Sequence, residues 1–101
     1  MATLHLLSHS PFGDDRFASC LRLLGERDGL LLSGDAVHAL QPGTATREAL
    51  EGLLGSIALL ALKEDLEARG CDHEPPRRLE AIDYPRFVEA CLEYERVNSW
   101  L

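Results

Sequence analysis

The sequence predicts an α/β fold: a single domain with a mostly parallel four- to five-stranded sheet flanked by helices. Three observations carry that expectation. Short apolar runs at residues 2–7 (ATLHLL), 30–32 (LLL) and 56–62 (SIALLAL) read as strands covered on both faces. Segments between them space their apolar residues at helical intervals. The resulting order is strand, helix, strand, helices, strand, helix, strand, helix, which is that of linked βαβ units. With 101 residues, 46% of them apolar and 27% charged, the chain suffices for one core and not two. The expected domain therefore spans residues 1–101.

Residues 2–7 form the first expected strand, with His5 inside it as a core-edge imidazole bonded to a neighbour. Pro11 cannot continue a ladder, so residues 8–13 are a loop. Asp14 or Asp15 opens a helix reaching about Leu24, where acidic groups suit the positive end of the dipole. Phe17, Cys20, Leu21 and Leu24 form its packed stripe, and Gly25 stops it. The turn Arg27-Asp28-Gly29 then feeds Leu30, Leu31 and Leu32, the strand around which the rest is arranged. Ser33, Gly34 and Asp35 break that run, and Asp35 is placed to cap a short helix over residues 36–40. Ligand and partner sites of open α/β sheets gather where strands end and helices begin, so the working edge is expected near Ser33 and Asp35.

Gln41-Pro42-Gly43 ends the short helix. Residues 44–54 form the next, with Thr46 as its expected cap and Gly52 weakening its body by about 1 kcal/mol relative to alanine. Gly55 ends it, and the strand at 56–62 follows. A short helix then runs from Lys63 through Arg69, with acids at its start, Arg69 at its end and Gly70 beyond. Residues 71–78 hold two prolines and mixed charge and read as a surface loop. Residues 79–82 are a strand, and Asp83 caps a last helix whose first turn tolerates Pro85. Tyr84, Phe87, Val88 and Cys91 share one face of it. Glu95 falls on the same stripe, so the helix ends before it or that face leaves the core there. The tail carries the only tryptophan, Trp100, which either folds back on the domain or anchors a partner.

A formal charge of −7 argues against direct nucleic-acid contact and against docking on anionic membrane. The longest apolar run is too short to span a bilayer, and the N-terminus lacks the pattern of an export signal. A cytoplasmic protein is expected. Cys20, Cys71 and Cys91 are odd in number and none are spaced C-x-x-C, so neither a disulfide framework nor a zinc knuckle is written here. His5, His9, His38 and His73 are scattered; no metal and no cofactor are expected. Nucleotide-binding and hydrolase signatures are missing. The pair Asp14-Asp15 is explained by the helix start more simply than by acid–base work. Cysteine chemistry remains. Cys20 is a packed hydrophobe by spacing, and as a nucleophile it needs exposure and a cation such as Arg16. A thiol–imidazole pair of Cys20 with His9 is a generic enzyme alternative. Cys91 reads as core, and Cys71 as an incidental loop thiol.

Residues 3–12 (TLHLLSHSPF), 30–37 (LLLSGDAV), 60–70 (LALKEDLEARG), 82–88 (IDYPRFV) and Ser99-Trp100 resemble the DsrH/TusB family in order and spacing. The resemblance covers nearly the whole chain. Ala36 departs from it, since relatives often place glycine there. It implies a subunit of a heterohexameric sulfur-relay complex with DsrE/TusD-like and DsrF/TusC-like sister subunits. Small sulfur-carrier proteins, DsrC/TusE-like and TusA-like, are the implied exchange partners. Sulfur passes as a persulfide, and the principal acceptor cysteine belongs to the DsrE/TusD-like sister. Cys20 matches a first-helix cysteine of the DsrH branch, which implies an auxiliary acceptor and a role in sulfur oxidation. The TusB branch, which serves 2-thiolation of the tRNA wobble uridine, commonly lacks that cysteine and is the alternative. Ser33, Asp35 and Trp100 are the expected interface residues.

Overall fold

The computed structural model describes residues 2–100, so Met1 and Leu101 of the expected domain lie outside it. Its sheet holds β1 (Thr3–Leu7), β2 (Gly29–Leu32), β3 (Ala58–Leu62), β4 (Leu79–Ile82) and β5 (Arg96–Trp100). The spatial order is β4-β3-β2-β1-β5, and every neighbouring pair is parallel. Between the strands lie α1 (Arg16–Leu23), a 3-10 helix (Gly34–Leu40), α2 (Ala45–Glu51), α3 (Lys63–Ala68) and α4 (Tyr84–Glu93).

Handedness decides which helix covers which face. The first three crossovers all step from β1 toward β4, so right-handed connections put their helices on one side. The last crossover returns across the whole sheet to β5, and the same rule puts α4 on the other side. The two apolar clusters follow this division. One joins Leu30, Leu32 and Leu59 to Phe17, Cys20, Val37, Leu50 and Leu66. The other joins Leu4, Leu31, Leu60, Leu62 and Ile82 to Ala90, with Phe87, Cys91 and Tyr94 at its margin. β2 contributes to both and is buried at all four positions, as its unbroken leucine run predicts. Gly29 opens it without a side chain because the Tyr94 ring lies there. A Cβ at that point would stand 2.8 Å from the phenol carbon Cζ.

Several local expectations are corrected. The residues read as a tail form β5, paired with β1 from Thr3↔Arg96 to Leu7↔Trp100. Asp35 is not the cap of the short helix. Ser33 holds the N-cap position, and Asp35 lies in the first turn. Thr44, not Thr46, caps α2, its hydroxyl accepting from the Arg47 N–H at 3.2 Å. Thr46 instead donates to the Ala39 carbonyl. Gly52 lies at the C-cap of α2 and not in its body. Asp83 does cap α4, accepting from the Arg86 N–H at 3.0 Å. That helix stops at Glu93, before Glu95 reaches the apolar stripe.

Two arginines hold the loops. Arg78 donates to the carbonyls of Glu51, Leu53, Leu54 and Ile57, closing the turn between α2 and β3. Arg47 donates to the carbonyl of Leu40 at 2.9 Å and that of Glu74 at 2.6 Å. The segment 71–78 is therefore strapped to the domain, and its Pro76 is buried. The planar five-donor fork of arginine suits several carbonyls at once, in a fixed geometry that the ammonium of lysine lacks. Arg78→Lys is expected to destabilise the fold by about 1.5–3 kcal/mol, the value of hydrogen bonds from a charged donor. Urea unfolding midpoints of the two proteins check this.

Candidate functional site

The carboxyl ends of the strands bring the loop after β1, the start of the 3-10 helix and Trp100 to one edge of the sheet. Ser33 closes the β1–β2 pair there: its N–H donates to the Leu7 carbonyl at 2.9 Å and its hydroxyl to the same oxygen at 3.3 Å. Gly34 follows with φ +51°, a left-handed conformation that favours glycine. Its N–H donates to Asp65 Oδ2 at 2.8 Å, tying β2 to the first turn of α3. Asp35 is exposed and accepts from Arg69 Nε at 2.9 Å, and the same guanidinium stands 3.6 Å from Asp65 Oδ1. Hydrogen bonding to Arg69 holds the Asp35 carboxyl below the usual carboxylate range. The residues 33–35 are thus the end of an acid–base lattice that locks two crossovers together.

Trp100 folds back on the domain. Its Nε1–H donates to His5 Nδ1 at 3.1 Å, and its ring packs on the larger apolar cluster. An indole N–H only donates, so His5 Nδ1 is the acceptor and the ring proton lies on Nε2. That nitrogen sits 3.3 Å from Asp28 Oδ2. Asp28 also accepts from the N–H of Thr3 at 2.9 Å and of Gly25 at 2.8 Å. Burial alone would raise the Asp28 carboxyl, but the bonds from Gly25, Thr3 and His5 outweigh it and hold the group below its ordinary value. The chain Asp28–His5–Trp100 thus crosses β1 inside the domain and fastens the carboxyl end of β5.

Cys20 lies on the packed side of α1 with no exposed surface. Burial, with the Asp28 charge adding to it, pushes its thiol up to about 12. The thiolate fraction at pH 7 is then on the order of 10⁻⁵. Arg16, the expected cation, is bonded to Asp14 at 2.8 Å instead. His9 is exposed, and among the described residues no hydrogen bond joins it to Cys20. The structure therefore does not bring together the Cys20–His9 pair. Cys71 and Cys91 are partly exposed. Among the described residues no three His, Cys, Asp or Glu side chains are grouped to hold a metal ion, and no helix is long and apolar enough to cross a membrane. Sequence reasoning missed Asp28 as an organiser and Arg69 as more than a helix-end charge. Asp28 had a signal, since a carboxylate just before a fully buried strand must find donors.

A small all-parallel sheet with a lone helix on one face defines the class of protein. The crystal structure of the ychN protein from E. coli has the same fold, with a TM-score of 0.80 at 20% identity over 99% of both chains. Protein Tm0979 from Thermotoga maritima is a second solved relative in fold, with a TM-score of 0.62 at 20% identity over 92% of this chain and 93% of its own. Sequence narrows the class further. Residues 9–97 match the family described as DsrH like protein. Protein TusB of Enterobacter sp. (strain 638) is 36% identical over 96% of this chain and 99% of its own length. Protein TusB of Escherichia coli O139:H28 is 39% identical over the same shares. The chain belongs to the DsrH/TusB family.

Two predictions follow from the buried groups. In the native protein, iodoacetamide is expected to label Cys71 and Cys91 and to leave Cys20 unmodified until denaturant is added; peptide mass mapping reads this directly. Asp28 has a folded-state pKa below its unfolded value. Its stabilisation is therefore full above about pH 5 and fades as the pH falls through the lowered folded value. Asp28→Asn should be less stable at neutral pH and should lose less stability than the parent on acidification, as followed by urea midpoints from pH 7 to pH 3.

Proposed function

We propose that the chain is a subunit of a sulfur-relay complex serving 2-thiolation of the tRNA wobble uridine, with no catalytic part for Cys20. Its partners on this reading are DsrE/TusD-like and DsrF/TusC-like sister subunits in a heterohexamer, with DsrC/TusE-like and TusA-like carriers exchanging sulfur with the assembly. One observation carries the subunit reading. Tyr84, Val88 and Leu92 stand at successive i, i+4 positions on α4 and are 58%, 55% and 81% exposed. Val97, on β5, adds to the exposed apolar surface at 44%. A stripe of this kind on a surface helix marks a place where another protein sits. Kinship with TusB proteins supports the tRNA branch.

The sulfur-oxidation reading, with Cys20 as auxiliary acceptor, rests on the match of that cysteine to the DsrH branch. Two findings weigh against it. The named relatives are TusB proteins, and the Cys20 thiol is sealed and strongly protonated. Persulfide exchange needs an accessible thiolate, so Cys20 would serve only after α1 moves off the sheet. Of the expected interface residues, Asp35 is the most exposed, which supports a contact with a sister chain there. Ser33 and Trp100 act by holding β2 and β5 against β1.

A strain deleted for this chain is expected to lose 2-thiouridine from the wobble position and to recover it on complementation. The double variant Val88→Glu, Leu92→Glu should remain folded by circular dichroism, yet fail to copurify with the sister subunits and fail to complement. Wild-type 2-thiouridine in the deletion strain, together with loss of sulfur oxidation, would move the chain to the DsrH branch.

A further inference from the structure

The third cysteine environment is unlike the other two. α3 ends in a Schellman motif: the Gly70 N–H bonds the Glu67 carbonyl, and the Cys71 N–H bonds the Leu66 carbonyl at 2.8 Å. Gly70 takes φ +65° to make this turn. The motif folds Cys71 back against the large apolar cluster, beside Leu66. There its Sγ lies 3.7 Å from His38 Nδ1, on the 3-10 helix, and donates to the Arg69 carbonyl at 3.6 Å. Cys71 also lines a cavity of about 310 Å³, with Leu40, Pro42, His73 and Glu74. Arg47 fixes two sides of that cavity through the carbonyls of Leu40 and Glu74. Burial pushes the Cys71 thiol up, while the Arg69 charge pulls it down. A thiol of this kind rests protonated and needs a base at the moment it reacts.

We propose that Cys71 and His38 form a thiol-exchange site, in which Cys71 takes a sulfane sulfur from a persulfide donor entering this cavity. The choice of sulfane sulfur rests on the relay reading above; the thiol–imidazole pairing does not. In this step the imidazole acts as its Nε2–H tautomer, so that Nδ1 accepts the thiol proton. The Cys71 sulfur attacks the outer sulfur of R–S–SH, the S–S bond of the donor breaks, and a Cys71–S bond forms. The leaving thiolate R–S⁻ recovers the proton from the imidazolium. The sum is R–S–SH plus Cys71–SH giving R–SH plus Cys71–S–SH, with no outside oxidant or reductant. Cys91, partly buried beside α4 on the other face, is an internal control; among the described residues no imidazole bonds it.

The full chain is treated with a low-molecular-weight persulfide and, separately, with a persulfidated carrier protein. Success with one donor and not the other identifies the source. The Cys71 peptide is expected to gain the mass of one sulfur atom, about 100-fold faster than the Cys91 peptide, the lower end of general-base catalysis. Cys71→Ser removes the gain. His38→Ala slows it by a similar factor, and added imidazole restores part of the rate, which loss of a mere packing contact would not allow. Equal rates at Cys71 and Cys91, or a Cys71 rate indifferent to His38→Ala, overturns the inference. Normal 2-thiouridine in the deletion strain removes the tRNA-thiolation reading but leaves the two peptide rates as measured, so the two failures are distinct.

Discussion

The constraint from which most of this molecule follows is the fixed hand of the βαβ crossover. Three steps in one direction and one return leave four helical segments on one face of the sheet and a single ten-residue helix on the other. One helix of about 10 Å diameter does not cover a sheet of five strands spaced near 4.8 Å. The outer side of that helix bears Tyr84, Val88 and Leu92, and the bare strand beside it bears Val97. Topology thus leaves this face of the sheet thinly covered, before any particular partner is considered.

The crowded face shows the opposite condition. Cys20, Val37, Leu50 and Leu66 are packed there to within 2% exposure. Among the described residues the buried polar side chains there are those of Asp28 and His5. That pair is tolerable because each of its atoms has a partner: two backbone N–H groups, the imidazole and the indole. The same packing sets the fate of the cysteines. A thiol pressed between α1 and the sheet is inert, whereas one folded back by a glycine at a helix end stays partly exposed and meets an imidazole.

The strands that touch both layers were legible from sequence, because burial on two faces writes an uninterrupted apolar run. Leu30, Leu31 and Leu32 are the clearest case. β5 was not legible. Arg96, Asn98 and Ser99 carry no strand pattern, since an edge strand needs only one neighbour and can keep a polar surface. Among caps, Asp83 stood out beside Pro85, while Thr44 and Thr46 are two residues apart and the sequence alone does not say which hydroxyl faces the helix. Of the site, the strand-end loop at residues 33–35 was visible as a break in a hydrophobic run. The Cys71–His38 contact was not, since it joins residues 33 apart through a helix terminus whose angle is set by tertiary packing. Arg47 and Arg78 were invisible for a similar reason. Their partners are carbonyls, and every residue has one.

The pairing of β5 with β1 also bears on how the molecule is made. Trp100 and His5 stand 95 positions apart. Until residues 96–100 leave the ribosome, one edge of the first strand has no ladder partner. Until then a nascent chain exposes an open, leucine-bearing strand, the kind of template on which unfinished proteins aggregate. The indole that latches onto His5 is the last group needed to close it.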